Sequence, residues 1–204
     1  LKVLKILSNA SAVIAEGEVN QLTAQRQIST TEEKYLDIIG SKTAALFAAA
    51  CRISAVVAES GDAQEMALDA YGRNLGIAFQ LANFIRDVGE DLDRGRVYLP
   101  ITELQSHGVT RQMLENKVVT PQIKNALKEQ IARVRRLQLE SAPGIELLST
   151  NSRECIKAAS ELYCGIEDEV EKIDYEVFSK RAKTSTFRRM KVAIPAYFRS
   201  KVAK

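Results

Sequence analysis

The chain has 204 residues, 46% of them hydrophobic, which is enough to bury a sizeable core. A formal net charge of +3 and an aromatic fraction of 6% argue against a nucleic-acid-binding protein. The three cysteines and the single histidine have no metal-ligand spacing, which argues against a zinc site and favours reduced thiols in the cytoplasm. No apolar run approaches the roughly 20 residues of a membrane-spanning helix.

The first half of the chain predicts helices, because glycine and proline are scarce and strong helix formers abound. Residues 2–16 repeat apolar side chains at helical spacing. Thr30, with Glu33 three residues later, is a helix start signal, and the helical region that follows it ends at Gly61. Residues 62–92 form the next helical block, with Asp62 as a candidate cap. Because the chain opens on Leu1 within a helical pattern, we expect it to begin partway through a larger protein.

The second half continues this pattern after an irregular segment at residues 94–116, which contains two glycines and a proline. Pro121 begins a helix that reaches about Glu140, and residues 151–173 form another amphipathic helix. After Glu176 the chain has nine Lys or Arg residues and no acidic residue. Since no strand alternation of useful length occurs, we expect one all-α domain over residues 1–204.

One helix carries an acidic stripe within the stretch FQLANFIRDVGEDLDRGRVYLP, residues 79–100. At about 100° per residue, Gln80, Asn83, Asp87 and Asp91 fall within roughly 80° of one another. Apolar residues flank this stripe, and Asp93 lies on nearly the opposite side, where we expect solvent.

Two carboxylates at i and i+4 repel each other, so a counter-charge is expected beside them. Mg²⁺ commonly bridges one or two carboxylates to substrate phosphates. Arg94 and Arg96 follow the stripe and offer forked donors for phosphate oxygens. The pattern therefore indicates a magnesium and diphosphate site, while the spacing alone also fits an exposed helix face with i, i+4 charge pairs.

Three stretches resemble squalene and phytoene synthases, the head-to-head prenyl transferases, and are most like the bacterial phytoene synthases. They are LGIAFQLANFIRDVGEDLDRGRVYLP, ELYCGIEDEVEKIDYEVFSKRA and AIPAYFR, and the similarity covers about residues 75–200. The earlier stretches LKVLKILSNASAVIAEGEVNQL, EKYLDIIGSKTAALFAAA and DAYGRNLGIAFQL instead resemble long-chain trans-polyprenyl diphosphate synthases of the octaprenyl or decaprenyl type.

The two resemblances meet within residues 76–82. In polyprenyl synthases AFQL leads into a DDxxD motif, whereas here ANFIRD follows. The chain is therefore interpreted as a hybrid or fragment, with a polyprenyl-synthase-like part at residues 1–82 and a phytoene-synthase-like part at residues 83–204. Both families share an all-α, isoprenoid-synthase-type helical bundle, which is the expected fold.

The resemblance implies roles for particular residues. Asp87 and Asp91 would bind metal and act in catalysis, and Tyr163 would face the reacting carbons. Substrate contacts are implied for further polar side chains: Gln80, Asn83, Arg86, Arg94, Arg96 and Arg181 from the phytoene-synthase pattern, and Lys42 and Gln21 from the polyprenyl-synthase pattern. Tyr163 equally fits a core tyrosine, Lys42 a surface lysine with a buried stem, and Arg181 a solvated basic face.

Two departures from the family patterns matter. Both families need a first aspartate-rich motif facing the second, and neither Glu32 with Glu33 nor Asp37 matches it, while Asp62 is isolated. Where phytoene synthases have a tyrosine before an arginine, this chain has a cysteine. The sequence therefore corresponds to the second part of an active cavity, so the bundle is expected to be incomplete.

The leading hypothesis is an Mg²⁺-dependent head-to-head condensation of two geranylgeranyl diphosphates to phytoene, through a carbocation and a cyclopropyl intermediate. One alternative is head-to-tail elongation by a trans-polyprenyl diphosphate synthase, and another is a non-catalytic helical chimera or fragment. Prenyl diphosphates are the expected partners and nucleic acid is not. The sequence leaves open a homodimer that completes the site, and contact between the basic tail and an anionic membrane surface.

Overall fold

The computed structural model describes residues 1–24 and 37–202, and these ranges contain helices and no strands. The predicted all-α class is confirmed. In chain order, the helices are α1 (Lys2–Ala24), α2 (Asp37–Val57), α3 (Asp62–Arg86), α4 (Val88–Asp93), α5 (Ile101–Ser106), α6 (Arg111–Glu115), α7 (Pro121–Ser141), α8 (Thr150–Lys172) and α9 (Thr186–Val202). Helix α2 contains a π-helical segment, Gly40–Ala44, and a 3₁₀ helix, Ala142–Leu147, follows α7.

The core forms around α3, which packs against α2, α7 and α8. Leu81 and Ile85 of α3 are almost completely buried, together with Leu127 and Ile131 of α7 and Val170 of α8. Burying side chains of this size contributes about 1.5–3 kcal/mol each, so this cluster holds the three helices in a fixed arrangement. That arrangement positions the acidic stripe at the carboxyl end of α3.

The contact between α2 and α3 depends on small residues. A Cβ atom on Gly72 would lie 2.4 Å from the carbonyl oxygen of Phe47, and one on Gly76 would lie 2.7 Å from the Cα atom of Ala44. Only glycine at these two positions lets the helices approach so closely. The π-helical segment is thereby held beside the middle of α3.

Helix α2 corrects one expectation from the sequence. By length and composition Asp37–Val57 is long and apolar enough to cross a membrane, because the helix continues through the apolar residues on both sides of the alanine run. The core helix of a protein in water passes the same test, and Ala44, Ala48 and Ala55 of α2 are buried within the fold. Within the fold, 33% of its most apolar 18-residue window is buried.

Several helix ends agree with the sequence and others do not. Pro121 is the first residue of α7, and the Thr120 hydroxyl accepts a hydrogen bond from the backbone N–H of Ile123. Asp62 was the expected cap of α3, but Gly61 precedes the helix and Asp62 is its first residue. The Thr30 start signal lies outside the described residues. The irregular segment contains the short helices α5 and α6. Helix α9, whose interior includes Pro195, was not expected from the sequence.

Candidate active site

The acidic stripe spans a break between two helices. Helix α3 ends at Arg86, Asp87 has non-helical backbone angles (φ −100°, ψ 11°), and α4 begins at the next residue. The backbone N–H of Asp87 still donates to the carbonyl of Asn83, and that of Asp91 to the carbonyl of Asp87, each at 2.9 Å. These i to i−4 bonds keep the three residues on one side of the chain across the break.

Asp87 is held by two arginines. The Arg86 guanidinium donates to both carboxylate oxygens, with Nε at 2.7 Å and a terminal nitrogen at 2.6 Å. Arg181 places its Nε 3.1 Å from the same carboxylate and its Nη1 3.2 Å from Glu90. The hydrogen bond to Asp87 raises the pKa of Arg86. Two guanidiniums therefore supply the counter-charge expected beside the acidic pair.

Asp91 has a different environment. Burial and the nearby Asp87 carboxylate raise its pKa, and this rise is opposed by Arg94 and Arg96. The loop that carries these arginines folds back onto α4, because the backbone N–H groups of Arg94 and Arg96 both donate to the Asp91 carbonyl, at 3.0 and 2.8 Å. Both basic side chains are thus anchored near the second carboxylate.

Polar and aromatic side chains line α3 before the break. The Tyr163 hydroxyl donates to the side-chain oxygen of Asn83 at 2.7 Å, and its ring stacks on Phe79 at 4.2 Å between centroids. Phe47 meets Phe79 edge to face at 5.5 Å. One turn of helix separates Asn83 from Asp87, so an aromatic surface adjoins the charged cluster.

The two residues that the polyprenyl-synthase pattern implies, Lys42 and Gln21, are not among the residues of the acidic stripe. Lys42 lies in the π-helical segment, with its Nζ 4.0 Å from the Glu18 carboxylate of α1. Gln21 lies in the last turns of α1, and its side chain falls outside the described residues. The link from this part of the chain to the stripe is Thr43, whose hydroxyl donates to Gln80 at 2.7 Å.

Sequence reasoning missed Thr43, Glu90 and Phe79. Thr43 follows Lys42 directly, so the same motif contained it. Glu90 lies between the two aspartates but off their stripe, and only its ion pair with Arg181 reveals its position. Asp93, expected to face solvent, is 64% exposed and pairs with Lys117.

We define the Asp87 corner as Asp87, Asp91, Arg86, Arg181 and Glu90. Within residues 1–24 and 37–202, no group of three or more His, Cys, Asp or Glu side chains forms a metal cage. Two carboxylates nevertheless fit a hard cation that takes its other ligands from water and phosphate. The residues present fit magnesium shared with a diphosphate, and such a cation would compete with the two guanidiniums for Asp87.

Comparison with known proteins agrees with both resemblances. The squalene/phytoene synthase family profile matches residues 40–188. The chain is 44% identical over 127 residues to the chloroplastic phytoene synthase of an Oncidium hybrid cultivar, covering 62% of this chain and 31% of that protein. It is 42% identical over 123 residues to the octaprenyl diphosphate synthase of Haemophilus influenzae, covering 55% and 37%.

A solved structure shows the same fold. A dehydrosqualene synthase crystallised with a ligand superposes with a TM-score of 0.72 at 22% identity, over 92% of this chain and 65% of that one. The chain spans about a third of the length of the curated relatives it matches. Because the family profile covers most of the sequence, the chain belongs to the squalene/phytoene synthase family.

Proposed function

We propose that the Asp87 corner is the second acidic wall of a prenyl transferase active site, which condenses two geranylgeranyl diphosphates head to head into a phytoene-type C40 hydrocarbon. The observation that carries this proposal is the geometry of the corner and its surroundings. Two arginines contact Asp87, two more lie near Asp91, and an aromatic surface lies one helical turn away. Such a site suits an anionic head group with an apolar tail.

The arginines are the groups that would hold the diphosphate. Arg86 and Arg181 already lie on a carboxylate in a geometry that phosphate oxygens can replace, because guanidinium binds both anions through forked hydrogen bonds. Arg94 and Arg96, near Asp91, would contact the same head group from the loop. Lys42 and Gln21 are proposed to contact the second substrate.

Asp87 and Asp91 would hold magnesium, which supplies Lewis-acid stabilisation of the departing diphosphate when bound. The stacked rings of Phe79 and Tyr163 would present π-faces to the positive charge that develops on the prenyl carbon. Gln80 and Asn83 are fixed by Thr43 and Tyr163, so they form an ordered polar edge between the aromatic surface and the acids.

A second candidate function is head-to-tail chain elongation, which the 42% identity to an octaprenyl diphosphate synthase favours. The sequence ANFIRD in place of a DDxxD motif after AFQL argues against it. A non-catalytic helical chimera or fragment is the third candidate. Both families are expected to need two facing acidic walls, and the Asp87 corner supplies one of them.

We place the junction between the polyprenyl-synthase-like and phytoene-synthase-like parts at residues 76–82, a segment that α3 crosses without interruption. A homodimer would supply a facing wall from a second copy. The basic segment after Glu176, with Phe187 and Phe198 exposed on α9, would contact an anionic membrane that takes up the hydrocarbon.

Turnover tests the proposal directly. The purified chain is incubated with geranylgeranyl diphosphate and Mg²⁺, diphosphate release is followed, and lipids are extracted. A C40 hydrocarbon supports head-to-head condensation, whereas longer diphosphates made only with added isopentenyl diphosphate support elongation. Absence of both from a folded sample would support the non-catalytic candidate.

A further inference from the structure

A separate cavity of about 310 Å³ lies between α3, α7 and α8. It shares no lining residue with the Asp87 corner. Leu75 and Ile145 are among its apolar lining residues, and Glu167, on α8, is among its polar ones. A cavity of this volume is at the lower end of the range that holds small organic ligands.

Glu167 is unusual because it is buried without a close partner. Its side chain is 1% exposed, and its Oε1 atom has no hydrogen-bond partner among the described residues. Its Oε2 atom lies 3.8 Å from Nε of Arg135, which is beyond hydrogen-bond distance. The hydroxyl of Tyr71, also in the cavity lining, is equally buried and unpaired. Buried polar atoms of this kind usually have a partner, so the cavity is equipped for a ligand that donates hydrogen bonds.

The basic side chains around the cavity are engaged elsewhere. Arg135 of α7 bonds both carboxylate oxygens of Glu171, at 3.0 and 2.7 Å, and Asp168 at 3.2 Å. Arg188 of α9 bonds Asp168 at 2.8 Å and Glu169 at 3.1 Å. Lys157 pairs with Glu146 at 3.1 Å. Arg135 thus lies closer to Glu171 and Asp168 than to Glu167.

Burial raises the pKa values of three side chains in the cavity lining. Burial raises the pKa of Glu167 to about 8, against the attraction of Arg135 and with the repulsion of Asp168 and Glu171. Burial also raises the pKa values of Tyr71 and Cys164 to about 12. At neutral pH the free cavity therefore contains a protonated carboxyl, a phenol and a thiol, and Glu167 is the group that a ligand can ionise.

We propose that this cavity binds a small organic ammonium ion, with its nitrogen on the Glu167 carboxyl and its apolar body against Leu75 and Ile145. An ammonium group offers three donors, one of which would satisfy Glu167 Oε1. It also supplies the opposite charge that a buried carboxylate needs. An anionic ligand has no hydrogen-bond donor to offer Glu167 Oε1. This site is independent of the function proposed for the Asp87 corner.

Calorimetric titration of the intact chain with benzylamine tests the proposal, using benzyl alcohol and benzoate as matched neutral and anionic probes. Benzylamine should bind at least about tenfold more tightly than benzyl alcohol, because a charge-assisted hydrogen bond is added, and benzoate should not bind. The Glu167 proton must leave when the amine binds as a cation. Titrations at pH 7 in two buffers of different ionisation enthalpy should therefore report release of about one proton per amine.

Two variants complete the test. Glu167→Gln keeps the side-chain shape and should weaken benzylamine binding by about tenfold or more. Glu161→Gln removes an exposed carboxylate from the rim of the same cavity and should leave the affinity within about twofold. Equal affinities for the amine and the alcohol, or amine binding to wild type without proton release, would overturn the proposal even if Glu167→Gln failed to fold. Neither result bears on prenyl diphosphate binding.

Discussion

The Asp87 corner and the cavity lined by Glu167 place a carboxyl group in contrasting environments. Asp87 is about one-fifth exposed and has two guanidiniums within 3.1 Å, whereas Glu167 is almost fully buried with a single arginine at 3.8 Å. Where the guanidinium partners are close, as at Asp87, an incoming cation must displace them. Where the partner is distant, the carboxyl keeps its proton instead. Burial and the distance to the nearest guanidinium therefore distinguish the two sites. A cation would replace arginine at the Asp87 corner, and it would replace the Glu167 proton in the cavity.

The largest expected effect is the pH dependence that Glu167 gives to the free energy of unfolding. The unfolded chain loses this proton near the ordinary value of 4.5 and the folded chain near 8, so the folded state binds an extra proton between these pH values. Stability should therefore fall as pH rises through this window, by at most about 1.4 kcal/mol per pH unit, and level off above pH 8. Glu167→Gln should remove this contribution to the slope.

Urea denaturation of wild type and Glu167→Gln at pH 5, 6.5 and 8 measures this effect. The two proteins should be closest in stability at pH 5, and the variant should be the more stable at pH 8. Parallel stability curves across the three pH values would show that Glu167 is ionised in the folded protein, which would remove the contrast between the two sites.

A second prediction concerns the clamp on Asp87. Replacing both Arg86 and Arg181 by alanine leaves Asp87 without its counter-charges and should cost about 2 kcal/mol, because partial exposure reduces the full penalty of an unpaired buried charge. Mg²⁺ should then raise the melting temperature of this variant more than that of wild type, since the metal no longer competes with arginine. Thermal denaturation with and without Mg²⁺ provides the measurement.

The matched control for this clamp is Arg111→Ala, which removes an exposed i, i+4 partner of Glu115. We expect a change within about 0.5 kcal/mol and no difference in the response to Mg²⁺. If the double variant responded to Mg²⁺ no more than this control, the arginines would not be competing with metal for Asp87.

A smaller effect is expected at the aromatic surface. Tyr163→Phe keeps the stack on Phe79 but removes the hydrogen bond to Asn83, which should cost about 1 kcal/mol. In Asn83→Ala the same tyrosine change should cost much less, because the partner is already gone. A double-mutant cycle by urea denaturation measures this coupling, and additive costs would show that the bond contributes nothing to stability.

The sequence predicted most of the helices because their signals are local. Periodicity identified the regions of α1, α3, α7 and α8, and Pro121 marked a helix start. The acidic stripe was also readable, since it needs only i, i+4 spacing. Helix α9 was not predicted, because Pro195 and the many basic residues obscure the helical spacing of its apolar side chains.

What could not be predicted depends on contacts between distant residues. Arg181 reaches Asp87 only because the segment after α8 folds back onto α4. Glu167 lies in an acidic run, EDEVE, that resembles a solvated helix face. Its burial follows from the packing of α7 and α3 on that side of α8, which no periodicity in α8 alone distinguishes from exposure.

The most direct test of the central claim is calorimetric titration of the chain with geranylgeranyl diphosphate, with Mg²⁺ and with EDTA. The same titrations on Asp87→Asn with Asp91→Asn show whether the Asp87 corner is responsible, and Asp93→Asn, an exposed aspartate beside the corner, is the control. We predict binding that requires Mg²⁺ in wild type and Asp93→Asn, and its loss in the double variant. Unchanged Mg²⁺-dependent binding in a folded double variant would contradict the account.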